Sequence, residues 1–98
     1  MILAFGDRAT ADVFAERSSR AARNLPVVLW PAIRRKLKWL DVAQRVSDLA
    51  SPPGNHLEAL KGEQRGRHSI RVNDQWRVCF EWPKGSKGPL NVEIVDYH

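Results

Sequence analysis

Hydrophobic residues recur with two different periods along the chain, and the period changes near residue 55. In the first half, large apolar residues recur at spacings of three and four: Trp30, Ile33, Leu37 and Leu40. That spacing is typical of the buried face of a helix. Pro31 suits the first turn, where the N–H that proline lacks would have no partner within the helix. The pattern therefore predicts a central helix that begins near residue 30.

Shorter helical pieces are predicted on both sides of this helix. A first helix covers roughly residues 8–18, with either Asp7 or Thr10 as its N-cap. Asp41 is the expected N-cap of a further helical piece. The stretch 51–55, Ser-Pro-Pro-Gly-Asn, then ends the helical half, because proline and glycine interrupt helices.

In the second half, apolar and polar residues alternate, which is the pattern of half-buried strands. We predict strands over residues 68–72, 76–82 and 90–95, and a short initial strand over residues 2–5. The three later strands follow one another through turns, so they form an antiparallel sheet whose apolar face the helices cover. The predicted fold class is α+β, with N-terminal helices packed on one face of a small antiparallel sheet. We expect residues 1–98 to form one domain.

Alternation also predicts which side chains share a face of the sheet. The apolar face comprises Ile70, Val72, Trp76, Val78, Phe80, Trp82, Val92 and Ile94. The opposite face is expected to be open to solvent and comprises Ser69, Arg71, Asn73, Arg77, Cys79, Glu81, Asn91 and Glu93. On that open face, we expect Arg71 to pair with Glu81 or Glu93 across the strands.

Composition and charge narrow the function classes. The 98 residues carry 16 Lys and Arg against 11 Asp and Glu, a net charge of +5 that favours phosphate backbones or acidic partners. No apolar run reaches the roughly 20 residues of a membrane span, and no secretory signal is recognised, so we expect a cytoplasmic protein. The histidines and Cys79 lack metal-ligand spacing. We expect neither a metal nor another cofactor.

The last three residues, Asp96, Tyr97 and His98, combine a carboxylate, a phenol and an imidazole. Continued alternation places Asp96 and His98 on the apolar side, so either the strand bulges near Val95 or both side chains project past the core into a cleft. Metal-free RNA cleavage needs a base for the 2′-hydroxyl proton, an acid for the departing 5′-oxygen, and cations for the charged phosphorus. Imidazole titrates near neutral pH. The tripeptide is thus either a catalytic end or frayed surface.

Cations are grouped in two places. One group lies before and along the first two sheet strands: Lys61, Arg65, Arg67, Arg71 and Arg77. These side chains either converge on a phosphate or form a solvated basic face. The other group lies on the central helix beside Trp39: Arg34, Arg35, Lys36 and Lys38.

Three segments resemble a known family. They are residues 52–62 (PPGNHLEALKG), 69–77 (SIRVNDQWR) and 92–98 (VEIVDYH). With these motifs the chain resembles the HigB-type toxins, also called host-inhibition or plasmid-maintenance killer proteins, of the RelE/ParE toxin superfamily. The motifs are specific over the C-terminal half, whereas the helical half matches by order and length.

The resemblance implies a RelE-like fold and the toxin of a type II toxin–antitoxin system. Such a toxin is a ribosome-dependent, metal-independent endoribonuclease that cuts mRNA and leaves a 2′,3′-cyclic phosphate. Its implied partners are a HigA-like helix-turn-helix antitoxin, the ribosome and mRNA, with operator DNA bound only through the antitoxin complex. The resulting catalytic set is His98, Tyr97, Asp96, Glu58 and Arg77. The RNA-binding set is Lys61, Arg71, Gln75, Arg65 and Arg67.

The sequence departs from the family pattern at one catalytic position, because some relatives have a histidine where this chain has Glu58. Either Glu58 is the second acid/base group, or His56 substitutes for it, or His98 carries the proton transfer alone. Two other functions also fit the resemblance. One is a ParE-like, gyrase-directed poison, and the other is a catalytically weak homologue that only binds RNA or protein.

Overall fold

A computed structural model describes residues 1–97 as a helical layer on a four-stranded sheet. The regular elements are α1 (Arg8–Phe14), α2 (Trp30–Val42), β1 (Glu58–Ala59), β2 (Arg67–Arg71), β3 (Trp76–Glu81) and β4 (Leu90–Asp96). All neighbouring strands are antiparallel, in the order β1-β2-β3-β4. The predicted α+β fold is therefore confirmed. None of the helices in this part of the chain is long and apolar enough to cross a membrane.

The core lies between the helices and one face of the sheet. The helix α2 contributes Ile33, Leu37 and Leu40, all fully buried, as the three-four spacing predicts. The sheet contributes the predicted apolar face: Ile70, Val78, Phe80, Val92 and Ile94 are buried, and Val72, Trp76 and Trp82 pack against them. Each large apolar side chain buried here stabilises the fold by about 1.5–3 kcal/mol.

Of the two predicted N-cap residues of α1, Asp7 is the one that caps the helix. Its carboxylate Oδ1 accepts the backbone N–H of Thr10 at 2.8 Å, as an N-cap residue does. Thr10 lies inside the helix, and its hydroxyl accepts the backbone N–H of Ile94 at 3.0 Å. This bond satisfies a buried N–H of β4 and attaches α1 to the sheet.

The predicted end of α1 at residue 18 is wrong, because the helix stops at Phe14. Two residues later the backbone of Glu16 takes a left-handed conformation, with φ of 60°. The following loop folds back onto Asp12, whose buried carboxylate accepts the Ser19 hydroxyl at 2.6 Å and Arg17 Nη1 at 3.3 Å. A buried carboxylate needs such partners, and here they come from the loop.

The prediction that Asp41 caps a further helix is also wrong. Asp41 lies in the last turn of α2, and its carboxylate accepts the backbone N–H of Ile2 at 2.8 Å. The next helical piece is the 3-10 helix Val46–Ala50. Its Asp48 carboxylate accepts the backbone N–H of Arg45 at 3.2 Å.

The N-terminal residues run beside β4 without forming the predicted strand over residues 2–5. Phe5 makes one parallel bridge to Val92, and the N–H of Gly6 donates to the Val92 carbonyl at 2.7 Å. A Cβ on Gly6 would lie 2.8 Å from Oε2 of Glu93. The same Cβ would lie 3.1 Å from the backbone oxygen of Asn91, so the close packing of this segment on β4 favours a glycine at residue 6.

The later strands match their predicted bounds within one residue, and β1 is an additional strand. Pairing puts Glu58 opposite Ser69, Ser69 opposite Cys79, and Cys79 opposite Glu93. Directly opposed residues share a face, so these side chains form one row across the polar side of the sheet.

The sheet bulges, but not near Val95. Val95 and Asp96 pair regularly with β3, and Tyr97 therefore follows on the polar side, as alternation predicts. The irregularity lies earlier in β4, where three steps of β4 oppose two of β3 and Asn91 adopts a φ of 50°. Of the two predicted outcomes for the end of the strand, projection past the core edge holds for Asp96, which is exposed.

Candidate active site

The polar face of the sheet is not open to solvent at its centre, contrary to the prediction. Ser69 is 0%, Cys79 2% and Arg77 8% exposed. Longer side chains, among them Arg67 and Tyr97, lie across this face and exclude water from it. Polar groups in such a place must find partners within the protein.

Arg77 is the centre of the resulting network. Its Nε donates to the Ser69 hydroxyl at 2.7 Å, and its Nη2 donates to the Ser69 carbonyl at 3.3 Å and to the carbonyl of His56. Three donated bonds hold the guanidinium in one orientation. A planar guanidinium so held is preorganised to stabilise negative charge.

Glu58 reaches the same guanidinium from β1. Its Oε1 lies 3.7 Å from Nη1 of Arg77, and its side chain is 56% exposed while that of Arg77 is 10% exposed. Two charged groups of opposite sign therefore meet where the buried network opens to solvent. The carboxylate can reach a bound molecule, and the cation is fixed behind it.

Tyr97 also lies against Arg77. The Cζ atom of Arg77 lies 5.8 Å from the centroid of the Tyr97 ring, within cation–π range. Partial burial, and next the neighbouring Cys79, raise the pKa of the Tyr97 phenol above its ordinary value. The phenol therefore keeps its proton near neutral pH and can donate a hydrogen bond.

Gln75 holds the end of β4 in place. Its carbonyl accepts the backbone N–H of Tyr97 at 2.6 Å, and its side-chain Nε2 donates to Oδ2 of Asp96 at 3.0 Å. Asp96 and Tyr97 project on opposite sides of the strand, and only Tyr97 faces Arg77. Gln75, predicted as RNA-binding, thus contacts two predicted catalytic residues.

The loop that carries His56 is fixed by a residue that sequence reasoning missed. Asn55 is fully buried, and its Nδ2 donates to the carbonyl of Leu49 at 3.2 Å. Lys36 of α2 donates to Oδ1 of Asn55 at 2.6 Å. Burial first, then the charges of neighbouring arginines, lower the pKa of Lys36. This bond ties the helical layer to the loop whose His56 carbonyl meets Arg77.

The other predicted cations do not all gather at Arg77. Lys61 and Arg65 are exposed at the two ends of the 3-10 turn Gly62–Gln64. Arg71 lies near the turn between β2 and β3, where it bonds to Asp74. The structure thus brings Glu58, Arg77 and Tyr97 together, whereas the Arg71 guanidinium bonds to Asp74 and the Lys61 and Arg65 side chains are exposed.

The predicted pairing of Arg71 with Glu81 or Glu93 is wrong. Arg71 lies opposite Arg77 in the sheet, so no carboxylate faces it directly across the strands. Glu93 instead pairs with Arg67, whose Nη1 lies 3.3 Å from Oε1 of Glu93. Register decides this partner, because Arg67 and Glu93 lie toward the same end of the polar face.

Ser69 and Cys79 were available to sequence reasoning only as members of the polar face. Alternation puts them on the same face as Arg77, but alternation does not show whether a polar face is buried or exposed.

His98, the predicted proton-transfer residue, lies outside the described residues. Among residues 1–97, no group of three or more His, Cys, Asp and Glu side chains is arranged to hold a metal ion.

The chain is similar in sequence to one protein family and to several known proteins. A family model described as the RelE-like toxin of type II toxin–antitoxin system HigB matches residues 5–98. Toxin HigB-1 of Vibrio cholerae is 45% identical over 85 residues, which is 87% of each chain. An uncharacterized protein of Haemophilus influenzae is 32% identical over 74 residues, 76% of this chain and 73% of that relative.

Endoribonuclease HigB of Proteus vulgaris is 35% identical over 66 residues, 67% of this chain and 68% of the relative. The family match includes the loop of His56, the strands that carry Arg77 and the end of β4, which are the parts that build the polar network. The match also extends over both helices that cover the opposite face of the sheet. The family match and the identity to a toxin over most of both chains show that the chain belongs to the HigB-like, RelE-like toxins of type II toxin–antitoxin systems.

Proposed function

We propose that this toxin is a ribosome-dependent endoribonuclease that cuts mRNA without a metal ion. The observation that carries the proposal is the fixed Arg77 guanidinium, flanked by the half-exposed Glu58 carboxylate and the protonated Tyr97 phenol. These groups can supply the base and the charge stabilisation that phosphodiester cleavage requires, and we propose His98 as the acid. The name of the Proteus vulgaris relative supports the same activity.

In the proposed reaction, the ribose 2′-oxygen forms a bond to phosphorus and the bond from phosphorus to the 5′-oxygen breaks. The products are a 2′,3′-cyclic phosphate and a 5′-hydroxyl. Glu58 accepts the proton of the 2′-hydroxyl, and His98 donates a proton to the 5′-oxygen. Arg77 stabilises the negative charge that grows on the phosphoryl oxygens, and Tyr97 donates a hydrogen bond to one of them.

The proposed cellular setting follows from the family. A type II toxin has an antitoxin partner, and we propose a HigA-like helix-turn-helix protein that also brings the complex to operator DNA. The ribosome and mRNA would be the cytoplasmic targets. A net charge of +5 suits a protein that works against RNA phosphates.

Cleavage mapping of a reporter mRNA in a translating extract tests the activity. We expect cuts in translated message and none in the same message when initiation is blocked. DNA breaks with intact mRNA would instead indicate a gyrase-directed poison. Intact mRNA and intact DNA would indicate a homologue that only binds.

Substitution of the proton-transfer residues tests the assignment. We expect His98→Ala to lower the cleavage rate by about 10²–10⁴-fold, the usual contribution of general acid–base catalysis. Glu58→Gln should lower it similarly, whereas His56→Gln should leave the rate within a few-fold of wild type, because the backbone carbonyl of His56, rather than its side chain, meets Arg77. If His56→Gln lowered the cleavage rate more than Glu58→Gln did, the role of general base would belong to His56.

A further inference from the structure

The loop before β1 reaches the proposed cleavage centre through its backbone. Of the three hydrogen bonds that Arg77 donates, two go to Ser69 on the adjacent strand β2, and the third goes from Nη2 to the carbonyl of His56. The bonds to Ser69 join two paired strands of one sheet. The acceptor at His56 lies outside the paired strands, directly after the 3-10 turn Pro53–Asn55. The orientation of the guanidinium therefore depends on what fixes this loop.

The backbone at His56 has an unfavourable conformation. Its φ of 45° and ψ of 57° are left-handed, which costs free energy for a residue that has a Cβ. The N–H of His56 donates to the Pro53 carbonyl at 3.0 Å, and the N–H of Asn55 donates to the Pro52 carbonyl at 3.0 Å. A segment held in such a conformation persists only where its surroundings stabilise it.

Asn55 provides this stabilisation from a buried position. Its side chain is fully buried, Nδ2 donates to the Leu49 carbonyl at 3.2 Å, and Oδ1 accepts a bond from Nζ of Lys36 at 2.6 Å. The first bond attaches Asn55 to the 3-10 helix Val46–Ala50, and the second attaches it to α2. The residue directly before His56 is thus joined to the helical layer by two side-chain bonds.

Lys36 is poorly placed for stability alone. Its ammonium group is partly removed from water and lies near the positive charges of Arg35 and Arg71, and both effects lower its pKa. Among residues 1–97, no carboxylate forms an ion pair with it. Its partner is the neutral amide of Asn55. A charge disfavoured in this way is more typical of a functional site than of packing.

We propose that Asn55 and Lys36 are positioning residues of the cleavage centre. Their bond sets the place of the His56 carbonyl, and this carbonyl holds the Arg77 guanidinium with Nη1 toward Glu58. Neither residue touches the substrate, and both act through Arg77. The inference rests on the proposed nuclease function, in which this guanidinium stabilises the charge on the phosphoryl oxygens.

Single-turnover cleavage at saturating ribosome is the first test. Lys36→Met keeps an unbranched side chain but cannot donate, and we expect it to lower the rate by about 10–100-fold, the cost of misplacing a group at the reacting atoms. Lys36→Arg retains a charged donor and should recover most of the rate. The matched control is Lys38→Met, which removes the same charge from an exposed position of α2 and should leave the rate near that of wild type.

The dependence of the rate on ribosome concentration separates positioning from docking. Lys36→Met and Lys38→Met each remove one positive charge from the same helix, so the ribosome concentration that gives half the maximal rate should change by the same factor in both. Only the maximal rate should distinguish them, because positioning acts on the transition state.

A double-mutant cycle tests whether Lys36 acts through Arg77. In the Arg77→Ala background, Lys36→Met should lower the remaining rate by less than about two-fold, since no guanidinium is left to position. In the Asn55→Ala background, Lys36→Met should likewise add little, because the bond between the two side chains is already gone. A full additional loss in the Arg77→Ala background would overturn the proposal.

Nuclear magnetic resonance of the Arg77 guanidinium gives a readout that does not depend on cleavage. In wild type, the bonds donated by Nε and Nη2 should slow rotation about the Nε–Cζ bond, so that Nη1 and Nη2 give separate ¹⁵N resonances. The spectrum of Arg77→Lys identifies these resonances by their absence. We expect them to merge in Lys36→Met and to stay separate in Lys38→Met.

The outcomes distinguish the two proposals. If wild type cleaves mRNA and Lys36→Met cleaves as fast as Lys38→Met, the positioning proposal is overturned and the nuclease function stands. If urea unfolding shows that Lys36→Met does not fold, its role is structural and the positioning proposal is likewise overturned. If wild type does not cleave, the nuclease function fails and the resonances decide. Merging in Lys36→Met alone then supports the positioning of Arg77, and separate resonances in both variants overturn it.

Discussion

The two faces of the sheet are both shielded from water, but by opposite means. Toward the helices, Val78 and Phe80 are buried among aliphatic side chains. One residue away on the same strand, Arg77 and Cys79 are buried beneath side chains that reach across the sheet, and Arg77 is held there by hydrogen bonds. The apolar face needs only to be covered and tightly packed, whereas the polar face needs a specific partner for each group.

This difference between the two faces indicates which face carries the functional residues. Apolar packing stabilises without fixing any one polar atom in a reactive orientation. A hydrogen-bonded network tolerates fewer substitutions than apolar packing does. It fixes the Arg77 guanidinium, however, and keeps one edge of that group directed at Glu58 and solvent. We therefore expect substitutions on the helix-covered face to act on stability, and those on the polar face to act first on activity.

The largest expected effect is on stability and comes from the apolar face. Phe80→Ala should lower the free energy of unfolding by about 3–5 kcal/mol, because it leaves a cavity between sheet and helices. Cys79→Ala, next to it but on the other face, should cost only about 1 kcal/mol, since one sulfur atom is removed. Urea unfolding followed by tryptophan fluorescence measures both. Similar losses in the two variants would show that the faces do not differ as described.

The next effect is on activity and comes from the polar face. Arg77→Ala should lower the single-turnover cleavage rate at saturating ribosome by about 10²–10³-fold, as loss of a preorganised charge stabiliser does. Arg34→Ala, on α2, should change that rate by less than about ten-fold, because a docking cation acts on binding. Arg77→Lys keeps the charge without the fixed fork and should fall between them. Equal losses for Arg77→Ala and Arg34→Ala would contradict the assignment.

A smaller effect concerns the polar group buried in the helical layer. The hydrogen bond from Ser19 is the main reason that the pKa of Asp12 lies below its usual value of 3.8. The ionised carboxylate therefore contributes stability that is present above this pH and is lost as the pH falls through the lowered pKa. Ser19→Ala should be less stable than wild type at neutral pH, and the difference should narrow in acid to what the bond from the Ala22 N–H to the Ser19 hydroxyl contributes.

Urea midpoints measured from neutral to strongly acidic pH test this behaviour, with Ser18→Ala as an exposed control. A stability difference between Ser19→Ala and wild type that stays constant across this range would exclude the carboxylate as its cause.

The smallest effect is spectroscopic. Ultraviolet titration of the sole tyrosine should give Tyr97 a pKa above 10.0 in wild type, because burial and the neighbouring Cys79 disfavour the phenolate. In Cys79→Ala the pKa should move back toward 10.0, since the negative thiolate is gone. An unchanged titration would mean that the Cys79 thiol does not influence the ionisation of the Tyr97 phenol.

The local pattern of apolar and polar residues was sufficient to predict much of the fold. The spacing of Ile33, Leu37 and Leu40 marked α2, and alternation marked β3 and β4, because a helix and a strand each impose their own period on what is buried. The two-residue strand β1 was missed, since Glu58 and Ala59 are too short a segment to display a period. Its existence depends on pairing with β2.

The candidate site was predictable in its members but not in its arrangement. Arg77 and Tyr97 were named from motifs, and the structure puts them in contact. Alternation gave Arg71 a partner in Glu81 or Glu93, whereas in the structure it bonds to Asp74. Contacts of this kind depend on alignment between strands, and no single segment carries that information.

The residue order alone was enough to predict α2, the three later strands, the face that their side chains take and the family of the toxin, because all of these depend on periods and motifs within short segments. Folding in three dimensions decided that the polar face is buried at its centre, that Arg67 crosses to Glu93, and that Tyr97 lies against Arg77. Those features arise between residues far apart in the chain. Their partners are chosen by register and by the need to satisfy buried polar groups.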